Sequence, residues 1–197
     1  MSRLYLLRHG PTDAGLRGAP LGRMDLPVTE AGQALWPQVK EELLALGLQR
    51  VLTSDLLRAR CHGQDMGLPC QVCPTLGEQA FGAWDGRPWA TIQGAEAFFE
   101  DPVHVAPPGG ESFAQCASRV LGGLSSELED PLPTLILAHG GPLRALLSHL
   151  LGLPLERALD LAWQPFGLSR VDLYAGARGV LQFHNQGLPS AAGPGML

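Results

Sequence analysis

The stretch LLRHGPTD, residues 6–13, places an Arg-His-Gly step directly after an apolar run. That run has the length of a buried β-strand. The stretch PTLILAHG, residues 133–140, repeats the arrangement, because a strongly apolar strand again runs directly into a His-Gly step. In layered α/β sheets, ligands bind at the carboxyl ends of strands. His9 and His139 both fall at such a position, and glycine after each lets the backbone approach a ligand closely.

Between and after these two strands, the spacing of apolar residues predicts helices that alternate with strands. The predicted helices cover 29–47 (kinked or shortened by Pro37), 55–67 (capped by Ser54), 92–100, 111–130 and 141–152 (Pro142 in its first turn). Further short strands are predicted at 50–54 and 70–73, with a final pair at 168–175 and 179–185 joined by the turn GARG. This alternation is typical of a layered α/β sheet.

Length and composition predict one globular domain over residues 1–186, with a cap segment at about 74–111 and a disordered tail at 187–197. The chain has 197 residues, of which 45% are apolar and 17% charged. The net charge of −5 disfavours nucleic acid and anionic membranes as partners, because such surfaces repel an acidic protein that has no basic patch. The apolar stretch ALLSHLLGLPL, residues 145–155, offers a surface for a homodimer.

The N-terminal sequence predicts a cytoplasmic protein. Its apolar stretch is too short for the core of a signal peptide, and no run of about 18 apolar residues occurs. Cys70 and Cys73 form a lone C-x-x-C step between two prolines, without a second pair of ligands, so free thiols are favoured over a metal site.

Arginines and glycines near the two histidines predict a site for a phosphate group. Arg8 precedes His9, and Arg58 lies one turn into a helix, so each offers a guanidinium fork suited to a tetrahedral oxyanion. The glycines after His139 offer backbone N–H groups at a helix start. The remaining histidines are predicted to be structural: His62, His104, His149 and His184.

Five ordered blocks of the sequence resemble the signatures of the histidine phosphatase superfamily, also called the phosphoglycerate mutase-like superfamily. The blocks are LLRHGPT, LTSDLLRAR, LGEQAFGAWDG, PPGGES and LAHGGPLR, and the resemblance extends from about residue 3 to about residue 173. It implies a three-layer α/β/α sandwich with a mostly parallel central sheet. It also implies an enzyme that passes a phosphoryl group to a histidine and then to water, without metal or cofactor.

The resemblance also implies roles for individual residues. His9 would be the nucleophile, Arg8, Arg58 and His139 would surround the phosphoryl oxygens, and Glu78 would protonate the leaving alkoxide. Further contacts to phosphate or substrate are expected from Thr12, Gly15, Gly140 and Trp84.

The chain departs from the family pattern at several positions. Pro11 stands where glutamate is frequent, Gly15 and Leu16 stand where many members carry an asparagine, and His62 replaces a threonine. A phosphate contact would then be either lost or taken over by backbone N–H groups of residues 12–15. Asp85 in place of glutamate is a conservative change with a structural role.

The expected partner is a small phosphomonoester. Residues 8–32 and 98–112 are similar to the alpha-ribazole phosphatase group of the superfamily, whose substrate carries a flat benzimidazole. Cap aromatics could form a stacking wall for that ring or pack the cap against the sheet: Phe81, Trp84, Trp89, Phe98 and Phe99. The alternatives are a phosphatase of broad specificity or for phosphosugars, and less favoured, a phosphoglycerate mutase or a non-catalytic phospholigand sensor.

Overall fold

A computed structural model describes residues 2–13, 17–174 and 179–188. Its strands form one six-stranded sheet in the order β3-β2-β4-β1-β5-β6. The strands are β1 (Ser2–Arg8), β2 (Arg50–Thr53), β3 (Cys70–Val72), β4 (Thr134–Ala138), β5 (Gly167–Leu173) and β6 (Gly179–Gly187). All strands run parallel except β5, which is antiparallel to both of its neighbours. The predicted mostly parallel sheet is therefore confirmed.

Helices cover both faces of this sheet. They are α1 (Glu30–Leu44), α2 (Leu57–Asp65), α3 (Glu96–Glu100), α4 (Phe113–Leu124), α5 (Gly140–Leu151) and α6 (Leu155–Ala158). Because side chains alternate along a strand, Leu4 and Leu6 of β1 pack with α4 and α5, whereas Tyr5 and Leu7 pack with α1 and α2. These two clusters make three layers, as predicted.

The two central strands send the chain to opposite faces of the sheet. After β1 the chain leads to α1 on one face, and after β4 it leads directly into α5 on the other. A crevice at the carboxyl ends of two such strands is the usual ligand site of an open α/β sheet. The fold thus places the carboxyl ends of β1 and β4 beside one another, where such a crevice would form.

The segment between β3 and α4 has a hydrophobic cluster of its own. Trp84, Ala95 and Phe98 are buried there, with Phe81, Trp89, Ile92 and Val105 packed around them. This cluster is separate from the two that cover the sheet. None of the helices in the described ranges is long and apolar enough to span a bilayer.

Several predicted boundaries differ from the structure. Helix α1 runs continuously through Pro37, on its exposed side, and α2 begins at Leu57 rather than at residue 55. Helix α3 covers only the second half of the predicted segment. The final strand pair is confirmed, but Gly187 still pairs with Gly167 in the sheet.

Two further sequence expectations concern the C-terminal half. Leu188 is buried, so the ordered chain extends past residue 186, and residues 189–197 of the predicted tail lie outside the described residues, as does most of the turn GARG. In the stretch proposed as a dimer surface, four apolar side chains are buried within the chain itself: Ala145, Leu146, Leu147 and Leu150.

Candidate active site

Three adjacent strands end in residues that face one another. The backbone N–H of His9 donates to the carbonyl of Ala138 at 3.0 Å, and that of Ser54 donates to the carbonyl of Leu137 at 3.1 Å. Strand order β2-β4-β1 therefore sets Ser54, His139 and His9 side by side at the carboxyl edge of the sheet. The parallel register, and not a local loop, brings these side chains together.

His9 is held in one tautomer. Its Nδ1 atom lies 2.6 Å from the carbonyl oxygen of Gly10, which can only accept a hydrogen bond, so Nδ1 donates and Nε2 keeps its lone pair. The ring is 3% exposed and lies 4.9 Å from the ring of His139. Burial, followed by the charges of Arg8 and Arg58, lowers the pKa of His9 well below 6.5. The imidazole is thus neutral and nucleophilic at neutral pH.

His139 is fully buried, and its Nε2 atom lies 2.8 Å from Ser54 Oγ. The same Oγ accepts a hydrogen bond from the backbone N–H of Leu56 at 3.1 Å. The Ser54 hydroxyl has one proton, and its contact with Nε2 is shorter than its 3.4 Å contact with Oδ1 of Asp55, so we assign the donation to Nε2. The ring proton then resides on Nδ1, which has no hydrogen-bond partner among the described residues. Burial, then the neighbouring positive groups, lowers the pKa of His139, so the ring offers one N–H group to a ligand.

Two arginines are buried beside the histidines and anchored by carbonyl groups. Arg58 donates from Nη1 to Met24 at 2.5 Å and from Nη2 to Gly22 at 2.9 Å, and Arg8 donates from Nη1 to Trp163. The Nε atoms of both arginines are buried without a partner in the described part of the chain. Burial lowers the pKa of each, while the charge of Glu78 opposes that shift. Such fixed cations suit an oxyanion.

The carboxyl group of Glu78 is bound at the N-terminus of α5. Its Oε1 atom accepts hydrogen bonds from the backbone N–H groups of Gln79 at 2.9 Å and Gly141 at 3.0 Å. A Cβ on Gly141 would lie 2.6 Å from Oε1, so this approach requires glycine. The same carboxyl group also lies near Arg8 and Arg58.

A cavity of about 240 Å³ opens beside Glu78. Arg144 of α5 forms part of its wall, and the Nε atom of Arg144 donates to the carbonyl of Leu161 at 2.7 Å. Aromatic side chains from the segment between β3 and α4 form much of the remaining wall: Phe81, Trp89, Phe98 and Phe99. A leaving group attached to phosphorus near His9 would extend past Glu78 into this space.

The structure brings all five predicted catalytic residues together, since electrostatic interactions link His9, His139, Arg8, Arg58 and Glu78. The other predicted contacts fall in different places. Thr12 is buried, Gly140 begins α5, and Gly15 lies outside the described residues. Trp84 is 6% exposed and belongs to the core of the cap, not to the cavity wall.

His62, which replaces the family threonine, packs behind the site. Its ring stacks on Trp36 at 4.1 Å, and Nε2 lies 3.2 Å from Oε1 of Gln33. Burial lowers the pKa of His62 to about 4. Asp85 accepts hydrogen bonds from the backbone N–H groups of Phe81 and Arg23, which ties the cap to the loop after β1.

Two residues of the site were not assigned to it from the sequence. Ser54 matches the helix-capping pattern, which hides its contact with a histidine 85 positions away. Arg144 stands four residues after Gly140, so helical periodicity places it on the same face of α5 as the glycine beside Glu78. That spacing is the signal that could have identified it.

Comparisons with known proteins give matches in sequence and in fold. The model of the histidine phosphatase superfamily (branch 1) matches residues 4–186. The adenosylcobalamin/alpha-ribazole phosphatase of Escherichia coli is 31% identical over 165 residues, which cover 78% of this chain and 81% of that protein. A probable phosphoglycerate mutase GpmB of Cronobacter sakazakii is 32% identical over 183 residues, which cover 87% and 85%. The solved alpha-ribazole phosphatase of Shigella flexneri has a TM-score of 0.84 at 28% identity and covers 93% of this chain and 96% of its own.

Proposed function

This chain belongs to the histidine phosphatase superfamily and is a phosphoric monoester hydrolase, and from that premise we propose that it hydrolyses alpha-ribazole 5′-phosphate through a phosphohistidine on His9. The observation that carries the proposal is the locked tautomer of His9, whose Nδ1 donates to Gly10 and whose Nε2 lone pair is left for attack. A neutral, buried imidazole with a free lone pair is a competent nucleophile near pH 7.

In the first step, Nε2 of His9 attacks phosphorus, an N–P bond forms, and the bond from phosphorus to the ester oxygen breaks. Arg8, Arg58 and the Nδ1–H group of His139 stabilise the charge on the three equatorial oxygens. Positioning and electrostatic stabilisation supply most of the catalysis in phosphoryl transfer. Because these groups are held by carbonyls, the strand edge and Ser54, little reorganisation is needed as the charge develops.

Glu78 supplies the proton that the leaving alkoxide needs. A protonated carboxyl group transfers its proton to the ester oxygen as the P–O bond breaks, which gives a neutral alcohol and a carboxylate, an effect worth roughly 10²–10⁴ in rate. In the second step the same carboxylate takes a proton from water while the water oxygen attacks phosphorus. The N–P bond then breaks, phosphate leaves, and His9 and Glu78 return to their initial states.

The choice of substrate rests on the cavity and on two relatives. Four aromatic side chains line a space large enough for a single flat ring system beside the proton donor. The relatives of Escherichia coli and Shigella flexneri are named for the dephosphorylation of alpha-ribazole phosphate. A benzimidazole ring attached to ribose would place its apolar face against these aromatics while its 5′-phosphate reaches His9.

The test is steady-state release of phosphate from alpha-ribazole 5′-phosphate beside phosphosugars, phosphoglycerates and nucleotides. We expect a preference of about 100-fold or more in kcat/KM, which corresponds to about 2.7 kcal/mol of differential transition-state binding. A flat profile would leave a histidine phosphatase of broad specificity and reject the substrate assignment.

A second measurement tests the intermediate. With radiolabelled substrate and an alkaline quench, the wild type should retain label on the protein, and His9→Ala should retain none and lose turnover. His149→Ala, at an exposed position on α5, is the matched control and should behave as the wild type. Full turnover by a folded His9→Ala variant would rule out the proposed mechanism.

A further inference from the structure

Arg144 has donors that the fold leaves unused. Its Nε atom is anchored to the carbonyl of Leu161, but Nη1 and Nη2 make no hydrogen bond with any part of the chain that the structure describes. Its guanidinium group nevertheless forms part of the wall of the cavity beside Glu78. The side chain is thus fixed at one end and presents two N–H-bearing nitrogens at the other.

The position of these donors relates them to the leaving group. Nη1 of Arg144 and Oε2 of Glu78 lie 3.1 Å and 3.9 Å from the point that a Cβ on Gly140 would occupy, so both flank the start of α5. After burial, the charges of Arg8 and Arg58 lower the pKa of both histidines, whereas the charge of Arg144 acts on Arg8 and is not among the causes given for either histidine. Arg144 and Glu78 line the cavity, whereas neither histidine nor Arg8 or Arg58 does, so Arg144 lies on the side of the leaving group.

We infer that Arg144 is a specificity-determining residue that donates hydrogen bonds to an acceptor atom on the leaving group. The inference rests on the proposed catalytic site and adds the chemical class of alcohol that the site selects. That alcohol has a flat apolar face, which contacts the cap aromatics, and a hydrogen-bond acceptor within reach of the Arg144 guanidinium group. An azole nitrogen and a carboxylate both provide this chemistry.

Physical chemistry favours such a pairing. A half-buried guanidinium among aromatic rings has lost part of its hydration, and an unmatched polar donor in such a place is costly. Glu78 is the nearest compensating charge, but it also interacts with Arg8 and Arg58. Phe99, which also lines the cavity, is 58% exposed, so it offers an apolar surface to a ligand that enters there.

The experiment pairs an enzyme change with a substrate change. Arg144→Met removes the donors at similar length, Arg144→Lys keeps the charge, and Arg157→Met removes an exposed arginine from α6 as the matched control. One substrate pair is alpha-ribazole 5′-phosphate and its analogue with C–H in place of the free ring nitrogen. The other pair is 3-phosphoglycerate and glycerol 3-phosphate, which differ by a carboxylate.

We expect Arg144→Met to lower kcat/KM about 10- to 100-fold for the acceptor-bearing member of one pair, and less than about threefold for its partner. Arg144→Lys should recover part of the loss, and Arg157→Met should change neither rate. The pair that responds identifies the acceptor as ring nitrogen or carboxylate.

Equal effects of Arg144→Met on both members of each pair, or no effect on any, would overturn the role of Arg144 while leaving the phosphatase assignment intact. Failure of the proposed function gives a different result, because it is seen in the wild type itself, as equal hydrolysis of the four esters or as hydrolysis of none. Thermal unfolding of each variant separates loss of recognition from loss of fold.

Discussion

The contact between Gly141 and Glu78 gives a sharp test of the proton donor, through the variant Gly141→Ala. The added Cβ would lie 2.6 Å from Oε1 of Glu78, whereas ordinary contacts begin at 3.4 Å, so the carboxyl group must retreat by about 0.8 Å. The hydrogen bond from the N–H of Gly141, now 3.0 Å, would then be lost or badly stretched. The backbone of α5 needs no adjustment, since Gly141 does not have a positive φ.

A displacement of this size should slow only the step that needs an acid. A misplacement of about 1 Å can cost about 100-fold, or about 2.7 kcal/mol, which lies at the lower end of the range for loss of a general acid. We expect that loss in kcat for an alkyl phosphate. For p-nitrophenyl phosphate we expect less than about threefold, because nitrophenolate leaves with little help from an acid.

The assay compares both substrates in Gly141→Ala, Glu78→Gln and Gly122→Ala. Glu78→Gln sets the full loss for removal of the acid. Gly122→Ala is the matched control, because its Cβ would enter open space within α4, where alanine stabilises a helix by up to about 1 kcal/mol. Equal losses on the two substrates in Gly141→Ala, or undiminished turnover of the alkyl phosphate, would refute the placement of Glu78 as proton donor.

Two further predictions concern Ser54 and His62. Ser54→Ala removes the hydrogen bond to His139 and should lower kcat about tenfold for all leaving groups alike. The control is Ser148→Ala, which changes a buried serine whose Oγ has no partner in the described ranges and should leave kcat unchanged. A loss of kcat confined to poor leaving groups would contradict the role of Ser54. The pKa of His62 is about 4 in the folded chain and about 6.5 when unfolded, so the unfolded state binds more protons between these values and stability falls as pH drops from 6.5 through 4. Denaturant unfolding at pH 7 and pH 4 should show that the wild type loses up to about 3 kcal/mol more than His62→Gln, and parallel losses would count against this source of acid sensitivity.

The two histidines show what sequence alone could predict. His9 and His139 each follow an apolar strand and precede glycine, and the ends of parallel strands meet at one edge of a sheet. The pattern of an apolar strand followed by His-Gly was therefore enough to predict that the two histidines lie close together. The family resemblance, now confirmed by the match over residues 4–186, added Glu78, which no local pattern distinguishes from a surface loop residue.

Other features depend on packing that no local pattern contains. Ser54 has the sequence of a helix cap, but its hydroxyl contacts a residue 85 positions away because β2 lies beside β4. Trp84 and Trp89 belong to one aromatic loop, yet one is buried in the cap core and the other lines the cavity. Which aromatic faces a ligand is decided by how the cap folds onto itself, and this lies beyond composition and spacing.

The separate hydrophobic cluster of the cap has a consequence for how substrate specificity can evolve. The residues proposed to surround the phosphoryl group stand on strand ends and on elements packed against the sheet, whereas Glu78 and the aromatics around the leaving group come from the segment between β3 and α4. A substitution in the cap can therefore alter which alcohol is accepted without disturbing the cores that flank the sheet. Selection can keep the residues that bind the phosphoryl group nearly constant while the cap aromatics change, so one reaction mechanism can evolve to act on many different substrates.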